Sequence, residues 1–411
     1  MFVISNLEGQ KYPIKIWLSG IEDMEEECLK QAHNLSRLPF IHKWVALMPD
    51  THTGMGMPIG GVIATDGVII PNAVGVDIGC GMAFLQTNIK AELIKGTMTK
   101  SGSLLQCIIG DILRNIPVGF AHHREKQECK SVDEALLNIE KYRLAPQLIP
   151  EIEDGYYQVG TLGGGNHFIE IQEDDEGYIC IMLHSGSRHL GHQICNHFHN
   201  TARELNKRWR SSVPDEYRLA FLPVDTREGR GYIDFMNMAL DFAQENRDKM
   251  LEAVKVIFTR WCDKLLNCTP EYSNLINCHH NYAALENHYG KNVWVHRKGA
   301  IRAREGQPGI IPGAMGSYSY IVSGRGSAES FHSCSHGAGR RLSRARARET
   351  YSVEEVMVDL KESGVVLGKN KKSDVAEECR FSYKDIETVI ANEADLIDVV
   401  KRLSTLGVVK G

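Results

Sequence analysis

Apolar residues recur along the chain at the spacing of a helix face, three or four residues apart, in several long segments. This spacing predicts amphipathic helices at residues 22–36, 131–146 and 232–266. The last segment is long enough for one or two helices. From Val353 onward the pattern predicts a mainly helical C-terminal segment.

Shorter apolar runs, rich in β-branched residues and separated by Gly, Asp and Pro, predict strands joined by tight turns. They occupy residues 60–86, 159–172, 178–188, 293–304 and 309–324. No linker, low-complexity tract or internal repeat divides the chain. We therefore predict one interleaved α+β domain that spans residues 1–411.

Composition narrows the class of protein. The 411 residues are 43% hydrophobic and 24% charged, which is ordinary for a globular chain. The formal net charge of −5 means that any nucleic-acid surface must be a local basic patch. The N-terminus has no signal-peptide pattern and no apolar run is long enough to span a membrane, so we predict a cytoplasmic protein without a membrane partner.

In a chain predicted to be cytoplasmic, the cysteines are expected to be free thiols. The chain has 11 cysteines, an odd number, and no C-x-x-C spacing. This argues against a zinc ribbon or a thioredoxin-like site and favours free thiols over disulfides.

The first segment with candidate chemistry is GVDIGCGM, which places Asp77 and Cys80 among three glycines. Glycines allow a sharp turn, so a carboxylate and a thiolate three residues apart can converge on one point. Such a pair suits a borderline metal such as zinc or manganese. The alternative is a glycine turn with an N-capping Asp and a buried Cys.

Three further segments place histidines at strand ends or in glycine-flanked loops: His167 in GGGNHFIEI, His184 in MLHSGSR, and His279 with His280 in NCHHNY. Neighbouring residues of a strand point to opposite faces, so only one of the last pair faces a shared site; we favour His280. Any one of these histidines alone fits a structural role. Together with Asp77 and Cys80, they supply enough ligands for two metals that share the thiolate.

His336 lies in the stretch HSCSHGAGRRLSRARAR, between small residues and ahead of five arginines. The small neighbours leave room for a large partner, and the arginines favour an anionic one. The pattern alone leaves open whether His336 is a metal ligand, a base or a nucleophile. Arg340 and Arg344 are four residues apart and would share a helix face, whereas Arg346 and Arg348 also fit a solvated face.

The motifs HSCSHGAGR, GVDIGCGM, TLGGGNHFIE, LHSGSR, NCHHNY and IIPGAMG together resemble the RtcB family of RNA-splicing ligases. The resemblance runs from MPDTHTGMG near residue 48 to the terminal VVKG. It implies the family's own α+β fold with a central two-metal cleft. It also implies a GTP- and Mn²⁺-dependent ligase that joins an RNA 3′-phosphate or 2′,3′-cyclic phosphate end to a 5′-hydroxyl end.

The resemblance also implies roles for individual residues. Asp77, Cys80 and His167 would hold one Mn²⁺, and Cys80, His184 and His280 the other. His336 would be the nucleophile that takes GMP from GTP. Arg188, Arg340 and Arg344 would contact RNA. The guanylate pocket would be formed by Asn166, His167, Phe168, Ile169, Glu170, His280, Asn281, Pro312, Gly313, Ala314, Met315, Ser319, His336, Gly337, Ala338, Gly339 and Lys410.

Three departures from the family pattern lie near the expected pocket and RNA entry. Met55 replaces a lysine that many members have, Ala314 replaces the serine of PGSM, and His189 follows Arg188 where glycine is usual. They indicate a divergent paralogue. Two alternatives to a ligase remain: a two-metal phosphoesterase or nuclease that uses water as nucleophile, and a non-catalytic RNA-binding relative. Without the family, Lys410 would be interpreted as part of a solvated tail.

Overall fold

The structure is a computed structural model that describes residues 1–372 and 374–411. Its strands are β1 (Phe2–Ile4), β2 (Ile14–Ile16), β3 (Ile41–His52), β4 (Ile59–Thr65), β5 (Val68–Ile69), β6 (Gly81–Lys90), β7 (Met98–Thr99), β8 (Gly102–Ser103), β9 (Phe168–Asp174), β10 (Tyr178–Ser185), β11 (Leu222–Pro223), β12 (Tyr272–His279), β13 (Asn281–His288), β14 (Lys291–Lys298), β15 (Ala300–Arg302), β16 (Pro308–Ile311), β17 (Tyr318–Gly324), β18 (Ser333–Ser335), β19 (Val366–Gly368) and β20 (Ile397–Lys410). Its α-helices are α1 (Glu26–Ser36), α2 (Pro71–Val74), α3 (Ala91–Gly96), α4 (Leu104–Asn115), α5 (Lys130–Leu137), α6 (Ile149–Gln158), α7 (Arg188–Arg208), α8 (Arg227–Leu266), α9 (Arg344–Thr350), α10 (Val353–Glu362) and α11 (Ile386–Asn392).

Two sheets form the framework. The larger has the order β12-β6-β10-β9-β20-β17-β16, and β19 pairs in parallel with β20. The smaller has the order β1-β2-β3-β4-β14-β13, with a parallel pair between β2 and β3. The mixed α+β class predicted from the sequence is confirmed. The assignment of residues 1–411 to one domain stays a prediction.

The 40-residue helix α8 joins the two main apolar clusters. Its N-terminus is capped by Thr226, whose hydroxyl accepts a hydrogen bond from the Gly229 N–H at 3.1 Å. Met250 and Val254 pack with α4 against the larger sheet, and Phe235 packs among α5, α6 and α7. The apolar spacing over residues 232–266 therefore belongs to one helix, which crosses behind the strand ends described next.

The antiparallel order of the larger sheet gathers several chain turns at one edge. In the register of the sheet, Gly81 at the start of β6 pairs with both Ser185 and His279, the last residues of β10 and β12. Phe168 at the start of β9 pairs with Lys410 at the end of β20. Side chains next to these strand ends, although far apart in sequence, must therefore lie together.

Several local predictions need correction. The C-terminal segment is not mainly helical, because residues 397–410 form the strand β20 between β9 and β17. Cross-strand pairing in a sheet overrides the local apolar spacing there. The helix predicted at residues 131–146 is confirmed only as α5, which is followed by a short 3-10 helix at Ile139–Tyr142. The helix predicted at residues 22–36 is confirmed as α1.

Two chain-wide predictions can be compared with the structure. All 11 cysteines are free thiols, as predicted. Within residues 1–372 and 374–411, no helix has both the length and the apolar character required to cross a membrane.

Candidate active site

The turn between α2 and β6 directs Asp77 and Cys80 into one cavity. Gly79 has a φ of 74°, and a Cβ at this position would lie 2.8 Å from the Cβ of Ala243 on α8. Glycine is therefore required both by the left-handed backbone and by the close approach of the helix. The Gly79 N–H donates to the Asn281 carbonyl at 2.8 Å, which ties this turn to the start of β13.

Five predicted metal ligands converge at the sheet edge. Cys80 Sγ lies 3.2 Å from His184 Nε2 and 3.4 Å from His167 Nε2. His184 Nε2 lies 3.3 Å from His280 Nε2, and Asp77 Oδ2 lies 3.2 Å from His167 Nε2. Four of the five side chains are nearly inaccessible to solvent, and Asp77 is partly exposed. A buried group of carboxylate, thiol and imidazole side chains whose donor atoms lie this close together is typical of a metal site.

The far nitrogens of two imidazoles are held by backbone carbonyls. His167 Nδ1 lies 3.0 Å from the Leu162 carbonyl oxygen, and His184 Nδ1 lies 3.2 Å from that of Asn166. A proton on Nδ1 satisfies each carbonyl and leaves the lone pair of Nε2 directed at the cluster. This is the usual way in which a protein fixes the tautomer of a metal-binding histidine.

Burial and neighbouring charges set the protonation states of the ligands. Burial raises the pKa of the Cys80 thiol well above its usual range, and the Asp77 carboxylate raises it further. Burial also lowers the pKa of His184 and of His280 well below the usual value, so both rings are neutral at pH 7. For Asp77, burial acts to raise the pKa, but the neighbouring His167 and Arg188 outweigh it and lower the pKa to about 2.

The donor atoms of these side chains suit a divalent metal ion. Among the described residues, Asp77 Oδ1 and His280 Nδ1 are buried without a hydrogen-bond partner. The ligand atoms of Cys80, His167 and His184 all lie within 4.8 Å of one another. Carboxylate, imidazole and thiolate donors together suit borderline metals, and Mn²⁺ accepts the oxygen and nitrogen ligands among them.

His336 lies beside this cluster and is oriented by a residue to which the sequence analysis gave no role. Its ring centroid is 4.7 Å from that of His280. Its Nδ1 lies 2.6 Å from Asp50 Oδ2, and its backbone N–H donates to the same oxygen at 3.1 Å. Gly339, with φ of 74°, lets the loop approach so closely that a Cβ there would lie 2.1 Å from the Asp50 carbonyl oxygen. Nε2 of His336 makes no hydrogen bond to any residue that the structure describes, so it is the free nitrogen.

A second charged group closes the other side of the cavity. Glu378 is buried and accepts hydrogen bonds from Lys410 Nζ at 3.1 Å and from the Tyr383 hydroxyl at 2.6 Å. Arg340 and Arg344 lie 3.3 and 3.4 Å from its other oxygen. Burial acts to raise the pKa of Glu378, but the Lys410 charge and the other partners lower it to about 2. Lys410 is 4% exposed and belongs to β20, so the interpretation as a solvated tail is wrong.

The cavity between the two groups has a volume of about 550 Å³. Four predicted site residues do not line it: His167 and Arg188 lie behind Cys80 and Asp77, Ile169 packs into the apolar core, and Ser319 accepts a hydrogen bond from Gly313 N–H. The predicted residues that do line it are Asp77, Cys80, Asn166, Phe168, Glu170, His184, His280, Asn281, Pro312, Gly313, Ala314, Met315, His336, Gly337, Ala338, Gly339, Arg340, Arg344 and Lys410.

The three predicted RNA-binding arginines differ in their exposure to solvent and in the hydrogen bonds that they already make. Arg340 precedes helix α9, so it does not share a helix face with Arg344 and that prediction is wrong. The Arg340 guanidinium is bonded to the carbonyls of Leu342 and Glu377 as well as to Glu378. The Arg344 side chain is 48% exposed at the cavity rim. Arg188 is half-buried, and its Nε donates to the Thr161 hydroxyl at 3.3 Å.

Sequence reasoning missed several residues of the site. Asp50 lies in the motif MPDTHTGMG, so the motif could have marked it. Its contact with His336, 286 positions away, depends on the fold and gives no signal in the sequence. Glu378 and Tyr383 had no motif to mark them. Lys298 lines the cavity with its ammonium bonded to two backbone carbonyls, and burial lowers its pKa to about 8.

The three departures from the family pattern occupy different places. The Met55 side chain is 46% exposed and does not line the cavity, although its carbonyl accepts a hydrogen bond from Lys298. Ala314 lines the cavity. His189 is exposed on α7, with Nε2 3.8 Å from Glu151. Only Ala314 therefore borders the space available to a nucleotide.

Comparison with known proteins identifies the family of this chain. The sequence profile of the RtcB family, described as "tRNA-splicing ligase RtcB", matches residues 31–411. This chain belongs to the RtcB family. It is 38% identical to the RNA-splicing ligase RtcB of Escherichia coli K12, over 98% of this chain and 99% of that protein.

More distant RtcB relatives also align along nearly their whole length. The chain is 32% identical to the tRNA-splicing ligase RtcB of Methanococcus maripaludis, over 99% of this chain and 97% of that protein. It is 31% identical to the RNA-splicing ligase RtcB of Mycobacterium tuberculosis, over 93% of this chain and 100% of that protein. The family resemblance predicted from the motifs is confirmed.

Proposed function

We propose that this chain is an RNA ligase that joins a 3′-phosphate or 2′,3′-cyclic phosphate end to a 5′-hydroxyl end, with GTP as co-substrate. The observation that carries the proposal is the orientation of His336. Asp50 holds its Nδ1 at 2.6 Å and leaves Nε2 free inside the cavity, beside the cluster of metal-binding side chains. The names of the relatives, which are RNA- and tRNA-splicing ligases, support the same class of reaction.

Two Mn²⁺ ions fit the donor set. One would be held by Asp77, Cys80 and His167, and the other by Cys80, His184 and His280, so that the thiolate is shared. When bound, these cations would neutralise negative charge on the triphosphate and on the transferred phosphoryl group. Because the thiol must lose its proton to bind metal, binding is coupled to release of that proton.

In the first step, His336 Nε2 attacks the α-phosphorus of GTP. A P–N bond forms, the P–O bond to the β-phosphate breaks, and pyrophosphate leaves with the electron pair. The ring gains positive charge as the bond forms, and the Asp50 carboxylate, which accepts the Nδ1 proton in a hydrogen bond, stabilises that charge. The product is a guanylate linked to His336.

Glu170, Phe168 and Lys410 line the same cavity as His336 and offer groups that suit guanine. Guanine presents N–H donors on one edge and the O6 and N7 acceptors on another. Glu170 supplies a carboxyl group to this cavity, and burial raises its pKa to about 7. Lys410 supplies an ammonium that lies next to Phe168, with Nζ 5.9 Å from the ring centroid. The Glu170 carboxyl could accept from the N–H edge of guanine, and the Lys410 ammonium could donate to O6 or N7.

In the second step, an oxygen of the RNA 3′-phosphate attacks the guanylate phosphorus, and the P–N bond to His336 breaks. The 5′-hydroxyl of the second RNA end then attacks the activated 3′-phosphate, and GMP leaves. A 2′,3′-cyclic phosphate must first be opened by water to give the 3′-phosphate. Arg344, exposed at the cavity rim, is the side chain best placed to contact RNA phosphates.

The test compares two synthetic RNA strands, one with a 3′-phosphate and one with a 5′-hydroxyl, in the presence and absence of GTP and Mn²⁺. The ligase proposal predicts a joined product that requires both and is lost in His336→Ala. A two-metal phosphoesterase would instead release phosphate without GTP. That second result, with no joined product, would contradict the proposal.

A further inference from the structure

Arg247, near the middle of α8, is a fully buried guanidinium whose hydrogen-bond partners are all neutral. Its Nε donates to Asn277 Oδ1 at 2.7 Å. Its Nη1 donates to the carbonyl oxygens of Gly79 at 2.8 Å and Ser185 at 3.0 Å. Its Nη2 donates to His279 Nδ1 at 3.0 Å. Among the described residues, no carboxylate forms an ion pair with it.

Three of these four partners are sequence neighbours of proposed metal ligands. Gly79 precedes Cys80, Ser185 follows His184, and His279 precedes His280. The three neighbours come from three separate chain segments, at the start of β6, the end of β10 and the end of β12. One planar guanidinium therefore bridges the three segments that carry Cys80, His184 and His280.

We propose that Arg247 is a positioning residue that fixes the ligand set of the second metal, Cys80, His184 and His280. The inference rests on the proposed two-metal site, which it deepens. A rigid, planar fork of five N–H donors can hold several carbonyls in one fixed arrangement, which neither an ammonium nor an apolar side chain can do. Arg247 acts from behind the ligands and does not line the cavity.

A comparison with Arg297 separates this role from ordinary burial of an arginine. Arg297 is also fully buried, but it is paired with the Glu286 carboxylate at 2.6 Å and donates to the Phe331 carbonyl at 2.9 Å. It thus has the charge partner that buried arginines normally require. Arg247 lacks one, so its burial is costly to the fold. Its hydrogen bonds to the three chain segments that carry proposed metal ligands explain why an arginine without an ion-pair partner is buried there.

The experiment titrates the purified 411-residue chain with Mn²⁺ and follows the free ion by electron paramagnetic resonance. It compares the wild type with Arg247→Met, Arg247→Lys and the control Arg297→Met. Loss of an outer-shell partner typically weakens metal affinity about 10- to 100-fold, and we expect this loss for the second Mn²⁺ in Arg247→Met. The first Mn²⁺, held also by Asp77 and His167, should keep most of its affinity. Arg297→Met should leave both affinities near those of the wild type.

A Co²⁺ titration gives a second readout, because a thiolate bonded to Co²⁺ adds a charge-transfer absorption in the near ultraviolet. We expect a weakened band in Arg247→Met, and a weakened band in Arg247→Lys as well, because lysine keeps the charge but not the planar fork of donors. If Arg247→Met does not fold, Asn277→Ala removes one acceptor without emptying the site. It should loosen the second metal in the same direction by a smaller factor.

The outcomes separate this inference from the proposed function. The positioning role alone is overturned if the wild type binds two ions and Arg247→Met binds them with unchanged affinities. If Arg247→Met fails to fold, unchanged affinities in Asn277→Ala have the same consequence. Equal loss in Arg247→Met and Arg297→Met overturns that role as well, because the effect is then a general one of emptying a buried site. A wild type that binds no Mn²⁺ contradicts the proposed metal site itself.

Discussion

Replacing Asp50 with asparagine tests the activation of His336 with the least disturbance of structure. Asp50 Oδ2 accepts both the backbone N–H and the ring Nδ1–H of His336, whereas Oδ1 is buried without a partner among the described residues. The amide oxygen of Asn can take the position of Oδ2 and continue to accept both bonds. Its NH₂ group then occupies the place of Oδ1. The substitution therefore removes the negative charge and keeps the ring orientation.

The magnitude follows from the loss of one charge-assisted hydrogen bond. Hydrogen bonds to charged groups contribute roughly 1.5–3 kcal/mol. Because the imidazole becomes positive only as the P–N bond forms, this stabilisation applies to the transition state more than to the resting enzyme. Since about 1.4 kcal/mol corresponds to a tenfold change in rate, guanylate transfer should slow by about 10- to 150-fold. Asp50→Ala also removes the orientation, and it should be slower still.

The assay measures the rate of covalent labelling with saturating labelled GTP and Mn²⁺. The control is Glu393→Gln, directly after α11, where a buried carboxyl group accepts hydrogen bonds from the N–H and Oγ of Ser335, the residue before His336. Burial raises the pKa of Glu393 to about 8, so at pH 7 the substitution changes little charge and should leave the rate near that of the wild type. A wild-type rate in Asp50→Asn would refute the proposed role of the carboxylate.

Three other predictions follow from the contacts around the cavity. Cys80→Ala should lower Mn²⁺ content more than loss of any single histidine, and wild-type affinity should rise with pH because the thiol must be deprotonated; two Mn²⁺ per mutant chain would contradict the shared ligand. Lys410→Met should slow labelling about 10- to 100-fold. It should also lower the free energy of unfolding measured in denaturant at pH 7, because the Lys410 charge is the largest of the effects that lower the pKa of Glu378. The difference in stability between wild type and variant should be full above the ordinary pKa of 4.5 and should disappear as the pH falls towards 2. Arg344→Ala should weaken RNA joining but not labelling with GTP, and should reduce the salt dependence of single-strand binding by roughly 0.7 in the log–log slope; equal loss in both steps would assign this arginine to nucleotide binding.

The sequence predicted the elements with strong local patterns. The 40-residue α8, the strand that follows His167 and the strand that contains His184 have long or glycine-bounded apolar runs, and they formed as expected. β20 was missed because its local spacing did not distinguish strand from helix. Its state is decided by pairing with β9 and β17, which begin 229 and 79 residues earlier in the chain. Such pairing is a tertiary effect that local spacing does not contain.

The candidate site divides in the same way. Asp77, Cys80 and the histidines are marked by glycine turns and strand ends, so their residue types and spacing could be recognised. Lys410 could not be separated from a solvated tail, because its burial depends on β20 and on Glu378. Arg247 lies on an ordinary helix face, and only the arrangement of three distant strand ends makes it notable. Contacts of this kind depend on the fold as a whole.

The central claim is that His336 accepts the guanylate, and site mapping of the adduct tests it most directly. The 411-residue chain is incubated with GTP and Mn²⁺, digested under alkaline conditions, and analysed by tandem mass spectrometry. The account predicts a guanylate on His336 that is lost in mild acid, survives alkali as a P–N bond should, and is absent from a His336→Ala variant that still binds Mn²⁺. A guanylate mapped to another residue, or a label that resists acid or persists in His336→Ala, would contradict it.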